Sequence, residues 1–348
     1  KIILGGYGTV LPDEDLKPYG DYICREEGVG FMRRLLGEPE LEGGFKHPVV
    51  VSRLKLFSKQ VSATGMIFAG LGCPNGCDFC CTSHFFRRKH IKLLDTGKDV
   101  YRVVRRYLDE DPDMQFTILD EDFLLDKKRV ADFRAEVLQN GVPLSMFAFA
   151  SIKALSLYTM EELLETGIDG FWIGYEGTRS GYSKQQGRPP AELFEDIRDN
   201  GGTILSSMIL GFDYQNPEII RQEFEGLMAL RPALTQFLIY GYTYGTPLAE
   251  RVLKDGLLRE EFAADPYLTY KSSTGFTSMI KHPSMPRTEI EYLQKWCFDQ
   301  DYQRLGPSIY RTLEVWYNGY MKHRGSANPI LKAKAAQTTP PKAAPARV

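Results

Sequence analysis

Thr64-Gly-Met-Ile-Phe-Ala-Gly70 and, just after it, Cys73-Pro-Asn-Gly-Cys77-Asp-Phe-Cys80 are the segments from which this sequence is best interpreted. The first is an apolar run of strand length, and the second is a glycine-containing loop with three cysteines. Three thiolates this close together can hold three irons of a cubic iron–sulfur cluster. The fourth iron would stay open, and an open coordination position is where a metal centre does chemistry. The sequence therefore predicts a [4Fe-4S] cluster on Cys73, Cys77 and Cys80.

Two other uses of these cysteines have to be weighed against the cluster. A zinc ion could take the same three cysteines with His84 as the fourth ligand, and the protein would then be a zinc-stabilised binding module. A secreted disulfide framework is the other alternative. Six cysteines in 348 residues are sparse for such a framework, and no signal peptide is visible.

Composition indicates an ordinary globular protein. Apolar residues make up 43% of the chain and charged residues 25%, and the formal net charge is −2. The charge gives no global basic field of the kind that favours nucleic acid. No run of 18 or more apolar residues appears, so we expect no transmembrane segment and a cytoplasmic protein with free thiols.

Apolar runs alternate with amphipathic helical patterns through the middle of the chain. The predicted strands are residues 65–70, 115–119, 144–150, 170–175, 203–210 and 236–240. Helix starts between them include a capping box at Thr159 and an Asn216-Pro217 pair. Six strands separated by helices predict an α/β fold of parallel βα units, too few for a closed eight-stranded barrel.

Polar side chains follow each predicted strand. In βα barrels the chemistry lies at the carboxyl ends of the strands, so we expect these side chains to converge on one mouth. They are Cys73, Cys77, Cys80, Asp120, Glu121, Asp122, Ser151, Glu176, Asp213, Tyr240, Tyr242 and Tyr244. A carboxylate at the end of a strand is also a common cap for the next helix.

The Cys-x3-Cys-x2-Cys spacing, with the aromatic Phe79 before the last cysteine, resembles the radical S-adenosylmethionine (SAM) superfamily. That resemblance implies an open six-unit (βα)6 barrel. It also implies that the open iron chelates the amino and carboxylate groups of SAM, whose reductive cleavage yields a 5′-deoxyadenosyl radical.

Further segments resemble the cobalamin-dependent type. Leu119-Asp-Glu-Asp-Phe123 is similar to that type's Asp-Asp-x-Phe segment, and Trp172-Ile-Gly-Tyr-Glu176 to its Gly-x-Glu, whose carboxylate commonly contacts SAM. Ile209-Leu-Gly-Phe-Asp213 resembles its fifth strand ending. Tyr242-Thr-Tyr-Gly-Thr-Pro-Leu248 resembles its turn after strand six, with Tyr242 and Tyr244 in place of two prolines. The cofactor-binding residues implied are Phe79, Asp120, Asp122, Ser151, Glu176 and Tyr240.

The flanking segments complete the predicted organisation. Residues 1–42 resemble the end of a cobalamin-binding Rossmann-like domain, with Arg25-Glu-Glu-Gly28 where the family has Gly-Glu-Gly-Glu; the alternative is a structural βα pair. The chain has no initiator Met, so we expect that it begins inside a larger protein. We predict a linker at 43–63, the barrel at 64–250, a helical region at 251–325 and a disordered tail at 326–348.

The resemblance implies a cobalamin-dependent methyltransferase that acts on an unactivated carbon of a small molecule. It would need a [4Fe-4S] cluster, SAM, cobalamin and an electron donor such as a flavodoxin or ferredoxin. A non-methylating radical SAM reaction, such as ring closure or oxidative rearrangement, is the nearest alternative. A degenerate barrel that serves only as an interaction partner is a more distant one.

Overall fold

The structure, a computed structural model, describes residues 1–41, 45–56 and 59–337. Its strands are β1 (Ile3–Leu4), β2 (Tyr22–Ile23), β3 (Val51–Leu56), β4 (Lys59–Ile67), β5 (Gly70–Leu71), β6 (Ile91–Lys92), β7 (Gln115–Ile118), β8 (Met146–Ala150), β9 (Ile168–Glu176), β10 (Thr203–Leu210) and β11 (Leu234–Ile239). Its α-helices are α1 (Asp13–Leu16), α2 (Gly28–Leu35), α3 (Cys81–Phe85), α4 (Gly97–Glu110), α5 (Lys127–Asn140), α6 (Ile152–Leu155), α7 (Met160–Thr166), α8 (Pro190–Asp199), α9 (Pro217–Ala229), α10 (Pro247–Lys254), α11 (Glu260–Ala264), α12 (Pro266–Ser272), α13 (Arg287–Leu305), α14 (Ser308–His323) and α15 (Pro329–Gln337).

One sheet of seven strands organises the fold. Its order is β11-β10-β9-β8-β7-β4-β3, and the six strands from β4 to β11 are parallel and adjacent in chain order. Helices lie between successive parallel strands, as the alternating pattern predicted. The sheet ends at β3 on one side and β11 on the other, so it forms a half-barrel. The predicted α/β class is confirmed, and the six predicted strands are present with their ends shifted by a few residues.

The core fills the space between this sheet and its helices. Helix α4 shows how the sequence builds it, because Val100, Val104 and Tyr107 are spaced to share one face and are fully buried. Tyr107 is the longest of the three, and its hydroxyl donates to the carbonyl of Met66 in β4 (2.8 Å). Each such buried side chain contributes about 1.5–3 kcal/mol of hydrophobic stabilisation, which fixes the helix against the strand that leads to the cysteine loop.

The predicted linker at 43–63 is wrong for most of its length. Residues 51–56 form β3, which pairs antiparallel with β4 from residue 59 onward. The segment Val51-Ser-Arg-Leu-Lys-Leu56 is polar enough to be taken for a linker. It is an edge strand, however, and such a strand is held by backbone hydrogen bonds to one neighbour more than by burial. Residues 42–44, 57 and 58 lie outside the described residues.

The predicted disorder from residue 326 is also wrong for residues 326–337. Helix α15 begins at Pro329, and its Ile330 and Leu331 are buried against the domain. Asn328 anchors the start of this helix, because its side-chain amide donates to Glu165 of α7 (2.6 Å). A pair of apolar side chains was enough to dock a short helix despite the polar composition around it. Residues 338–348 of the predicted tail lie outside the described residues.

The N-terminal segment packs on the barrel mouth. Strands β1 and β2 form a parallel pair, and Glu27 caps α2 by accepting from the backbone N–H groups of Val29 and Gly30. Tyr7 stacks edge-on against Phe85 of α3 at 5.3 Å between ring centroids. This segment therefore contacts the helix that follows the cysteine loop. None of the helices in the described ranges is both long and apolar enough to cross a membrane.

Candidate functional site

The cysteine loop lies between β5 and α3, beyond the carboxyl end of the first parallel strand. Two glycines permit its tight path. Gly72 has φ +82°, and a Cβ there would lie 2.3 Å from the carbonyl oxygen of Lys89. Gly76 has φ +69°, and a Cβ there would lie 2.5 Å from the Arg88 side chain. Only glycine adopts these conformations in so little space, so the loop shape depends on both residues.

The loop directs its thiols toward the mouth and shields them from water. Cys73 and Cys77 are buried and Cys80 is partly exposed. Ser83 holds the loop together, since its hydroxyl donates to the carbonyl of Cys73 (2.7 Å) and accepts from the N–H of Gly76 (3.0 Å). Burial raises the pKa of Cys73 and of Cys77 to about 11. Such thiols stay protonated at neutral pH unless a metal binds them, and iron coordination would deprotonate them.

The position of His84 weakens the zinc alternative. Its Nε2 lies 3.0 Å from the backbone carbonyl of Cys77, a hydrogen bond that leaves this nitrogen engaged. Within the residues that the structure describes, no three His, Cys, Asp or Glu side chains come together closely enough to hold a single metal ion. A zinc ion gathers its ligands around one centre, whereas a cubane places each thiolate on a different iron. In this arrangement Nε2 of the fourth ligand that the zinc alternative requires is already hydrogen-bonded to the backbone.

Asp78, inside the cysteine motif, ties the loop to the far side of the barrel. Its carboxylate accepts from the hydroxyls of Tyr182 (2.5 Å) and Tyr240 (2.7 Å). Phe79 packs edge-on against both rings, at 5.4 Å and 6.2 Å between centroids. Phe79 and Tyr240 thus meet at the cysteine loop, as the sequence predicted. Burial and the Asp78 carboxylate raise the pKa of both tyrosines, so these hydroxyls stay protonated donors.

Glu176 also lies at this mouth, at the end of β9. It is buried, it has φ +59° in the left-handed region, and its carboxylate forms an ion pair with Lys184. Burial would lower the pKa of Lys184, but the charges of Glu176 and Cys77 more than offset this and raise it. The Lys184 ammonium also lies 5.6 Å from the centre of the Phe79 ring. A buried carboxylate in a strained conformation beside the cysteines is typical of a functional site.

Sequence reasoning missed Lys184 and Tyr182. Both belong to the segment between β9 and α8, whose Gly- and Ser-rich composition shows neither helical nor strand periodicity. Their position beside Cys77 and Asp78 depends on how this segment folds back over the mouth. The only signal was that a lysine and a tyrosine follow Glu176 within eight residues. Asp78 could have been found, because it lies between two predicted ligands.

Asp122 and Ser151 lie on the other side of the cysteine loop. Asn75, inside the motif, donates its side-chain amide to Asp122 (3.3 Å), while Oδ1 of that carboxyl has no partner in the described part of the chain. Burial raises the pKa of Asp122 to about 6, and hydrogen bonds from Ser151 and Asn75 offset only part of that shift. Ser151 also caps α6 by accepting from the N–H of Ala154 (3.0 Å).

The raised pKa of Asp122 predicts a pH dependence of the metal-free protein. Below the ordinary pKa of 3.8 the Asp122 carboxyl is protonated in the folded and the unfolded protein, so it does not destabilise the fold. As the pH rises from there to about 6, the unfolded protein loses this proton more readily than the folded one, and stability falls. Above about pH 6 the folded protein holds a buried carboxylate, which costs about 3 kcal/mol. Asp122→Asn should therefore raise the free energy of unfolding at pH 8, but hardly at pH 4. Urea titrations at both pH values measure this, with Asp113→Asn on an exposed turn as the control. Equal effects at the two pH values would contradict it.

Asp120 is engaged differently from the other predicted residues. It is completely buried, and its Oδ1 accepts from the N–H groups of Ala69 and Gly70, each at 2.8 Å. Its Oδ2 accepts from the guanidinium of Arg129 (2.9 Å), which is itself only 1% exposed. The carboxylate is thus already bound by two backbone donors and a buried cation. These contacts fix β4 and α5 behind the site.

Four further predicted residues contact other partners. Asp213 forms an ion pair with Arg251 of α10. Tyr242 and Tyr244 pack edge-on against each other at 5.0 Å between centroids, and Tyr242 is buried. Glu121 accepts from the hydroxyl of Tyr7 (3.3 Å) and so joins the N-terminal segment to the mouth. Among the predicted groups, the cysteine loop therefore gathers Phe79, Asp122, Ser151, Glu176 and Tyr240.

Comparison with solved structures identifies the fold. The structure aligns with the radical SAM methyltransferase TsrM from Kitasatospora setae, solved with cobalamin and a [4Fe-4S] cluster bound. The TM-score is 0.53 at 13% identity, over 78% of this chain and 60% of that one. The chain has a radical SAM fold. The resemblance drawn from the cysteine spacing is thereby confirmed at the level of the fold. The cobalamin-dependent radical SAM enzyme OxsB aligns more weakly, with a TM-score of 0.45 at 15% identity over 85% of this chain and 48% of that one.

The chain also resembles one curated protein. It is 25% identical over 232 residues to a protein of Pyrococcus horikoshii named an uncharacterized methyltransferase. The match covers 60% of this chain and 48% of the relative, so the chain spans about half the length of that protein. No protein-family profile matches the sequence.

Proposed function

We propose that this chain is the catalytic part of a radical SAM enzyme, and that the enzyme is a cobalamin-dependent methyltransferase acting on an unactivated carbon of a small molecule. The observation that carries the proposal is the cysteine loop at the mouth of the half-barrel, with Glu176 facing it. Three buried or partly buried thiols in one loop suit an incomplete cubane with one open iron. The curated methyltransferase relative and the fold of TsrM support the methylation part of the proposal.

The roles of the site residues follow from their positions. Cys73, Cys77 and Cys80 would hold three irons, and a cluster bound there supplies the electron that cleaves SAM. Glu176 would accept hydrogen bonds from the ammonium group of SAM and would share its charge between that group and Lys184. Lys184 keeps the carboxylate neutralised when no substrate is bound, so the buried charge is never unpaired.

The aromatic side chains around the loop would exclude water from the reaction site. Phe79, Tyr182 and Tyr240 form one contiguous wall with Phe212, whose ring centroid lies 4.6 Å from that of Tyr240. Excluding water strengthens the polar contacts at the mouth and protects reactive intermediates. The tyrosine hydroxyls in this wall are bound to Asp78, so the face toward the mouth is largely apolar.

The N-terminal segment supports the cobalamin part of the proposal. Its parallel pair β1 and β2, followed by the capped helix α2, would form part of an α/β unit, and Tyr7 joins it to the helix after the cysteine loop. A domain continued from this segment would stand over the mouth, where a methyl donor has to lie.

Labelled SAM tests the proposed reaction. The protein is purified and reconstituted without oxygen, reduced, and incubated with SAM carrying a deuterated methyl group. We expect iron and sulfide in the protein, formation of 5′-deoxyadenosine, and transfer of the label to a product when cobalamin and the substrate are present. Deoxyadenosine without any labelled product would favour ring closure or oxidative rearrangement. Stoichiometric zinc without iron would overturn the proposal.

Glu176→Gln should weaken SAM binding without removing the cluster. A charge-assisted hydrogen bond contributes about 1.5–3 kcal/mol, so we expect the Kd for SAM to rise about 10- to 100-fold. Calorimetric titration of the reduced, cluster-loaded protein with SAM measures the change. Glu195→Gln, on the exposed face of α8, is the matched control. An unchanged Kd with intact iron content would show that Glu176 does not contact SAM.

A further inference from the structure

The outer surface of the cysteine loop faces solvent. Pro74 is exposed and follows Cys73 directly, and Gly76 precedes Cys77. The Arg88 side chain lies over Gly76, because a Cβ added to that glycine would lie 2.5 Å from Nε and 2.8 Å from Cζ of Arg88. The segment from Pro74 to Gly76 is therefore a thin layer between two cysteines on one side and a cation on the other.

Four cations lie on the two chain segments next to this layer, and we call them the basic rim: Arg87, Arg88, Lys89 and Lys127. All four are exposed, and no carboxylate forms an ion pair with any of them within the described ranges. Lys127 and Pro74 line the same groove, a depression of about 350 Å³ that also includes Lys92. Unpaired cations grouped around one loop are unusual for a chain whose formal net charge is −2.

The backbone holds the basic rim in an unusual shape. Arg87 and Arg88 have φ values of +53° and +57°, a conformation that costs non-glycine residues of order 1 kcal/mol each. Hydrogen bonds fix it, since the N–H of Arg88 donates to the carbonyl of Ser83 (2.7 Å) and that of Arg87 to the carbonyl of His84 (2.9 Å). These two hydrogen bonds hold the backbone of Arg87 and Arg88 in one conformation.

Nearby acidic groups do not cancel the charge. Asp126 is paired with Lys92 at 2.6 Å. The Asp122 carboxyl is buried and accepts from the side-chain amide of Asn75. Glu121 is turned toward Tyr7. Lys92 and Lys127 therefore balance Asp126 and Asp122 within the groove, and the excess positive charge beside the cysteine loop lies on Arg87, Arg88 and Lys89. A surface with an excess of one sign of charge attracts partners of the opposite sign.

We propose that the basic rim is the docking surface for a small acidic protein that carries one electron at low potential. The proposal rests on the proposed function, since a cluster on the three cysteines must be reduced before it can act. The carrier would be oxidised by one electron, and the cluster would pass from the 2+ to the 1+ state with no bond broken. The segment from Pro74 to Gly76 links Cys73 to Cys77, so a carrier docked on it would lie close to two of the three thiolates. Nucleic acid is the less suitable occupant, because the basic rim is short and shows no exposed aromatic side chains among its residues.

The double variant Arg87→Glu/Arg88→Glu tests the docking surface. Reduction of the reconstituted cluster by a flavodoxin hydroquinone is followed by stopped-flow absorbance at low ionic strength. We expect the second-order rate constant to fall about tenfold or more, since electrostatic steering contributes factors of 10 to 10³. The wild-type rate constant should fall as salt is added, while that of the variant should not.

Matched controls separate docking from every other defect. Lys295→Glu/Lys322→Glu changes the net charge equally on α13 and α14, and it should leave the flavodoxin rate near that of the wild type. Dithionite, which needs no docking surface, should reduce all three proteins to the same extent.

A cluster that dithionite cannot reduce in the wild type would count against the proposed function itself. Normal reduction by dithionite, together with equal flavodoxin rates in both double variants, would overturn the docking proposal alone. Binding of a single-stranded oligonucleotide that the same substitutions abolish, with unchanged flavodoxin rates, would assign the basic rim to nucleic acid instead.

Discussion

Replacing Cys77 with alanine is expected to remove the brown colour of the reconstituted protein and to reduce deoxyadenosine formation to the level seen without protein. Cys77 is buried at the centre of the motif, and its loss would leave two thiols for four irons. Iron content, absorbance near 400 nm and a deoxyadenosine assay under dithionite measure the three consequences. The same loss is expected for Cys73→Ala and Cys80→Ala.

Cys81→Ala is the matched control for this series. Cys81 adjoins Cys80 but falls outside the Cys-x3-Cys-x2-Cys spacing, and burial raises the pKa of its thiol as well. The variant should keep its iron, colour and activity. If Cys77→Ala kept both colour and SAM cleavage, the assignment of the cluster would be wrong. If Cys81→Ala lost both, Cys81 would have to be included among the cluster ligands.

Asp120→Asn is expected to destabilise the metal-free protein by about 3–5 kcal/mol. The substitution removes the carboxylate in direct contact with the buried Arg129 guanidinium and leaves only that of Asp126, 4.0 Å from Nε. Breaking one side of a buried ion pair typically costs that much. The remaining acceptors of Arg129 are neutral carbonyls at Ala69 and Leu94, which cannot replace a carboxylate. The free energy of unfolding from urea titration at pH 7 measures the effect.

Asp132→Asn, on the helix that carries Arg129, provides the comparison for Asp120→Asn. Its carboxylate pairs with the exposed Lys128 one turn away, and surface pairs of this kind contribute little. We therefore expect almost no change in stability. The experiment also separates the two roles considered for Asp120. A large loss of SAM affinity with unchanged stability would make it a cofactor ligand and not a structural anchor.

The sequence allowed the half-barrel and its mouth to be predicted because both rest on local patterns. Strand Thr203–Leu210 is a run rich in β-branched and apolar residues between Gly202 and Gly211, and its ends were found to the residue. The cysteine spacing placed the loop, and the rule that chemistry follows the strands placed Glu176 and Tyr240 beside it. These features depend on side-chain period and on topology, which a single sequence records.

The features that were missed depend on contacts between distant segments. Lys184 reaches Glu176 through a segment without periodicity, and Tyr182 reaches Asp78 across 104 residues. Edge strand β3 was taken for a linker because its neighbour supplies its hydrogen bonds. Asp120 was grouped with possible SAM contacts because nothing local reveals that Arg129 occupies its carboxylate. Pairings of this kind are set by the folded chain.

An open sheet has two edge strands with unpaired backbone groups, here β3 and β11. Both edges carry features that hinder the addition of another strand. Along β11, the N–H of Ile239 donates to the carbonyl of Gly275 (2.8 Å), and the Gln294 side chain donates to the carbonyl of Phe237 (2.7 Å). Along β3, exposed Arg53 and Lys55 place charges where another strand would have to add. Separate molecules should therefore resist joining edge to edge into fibrils, although the barrel never closes.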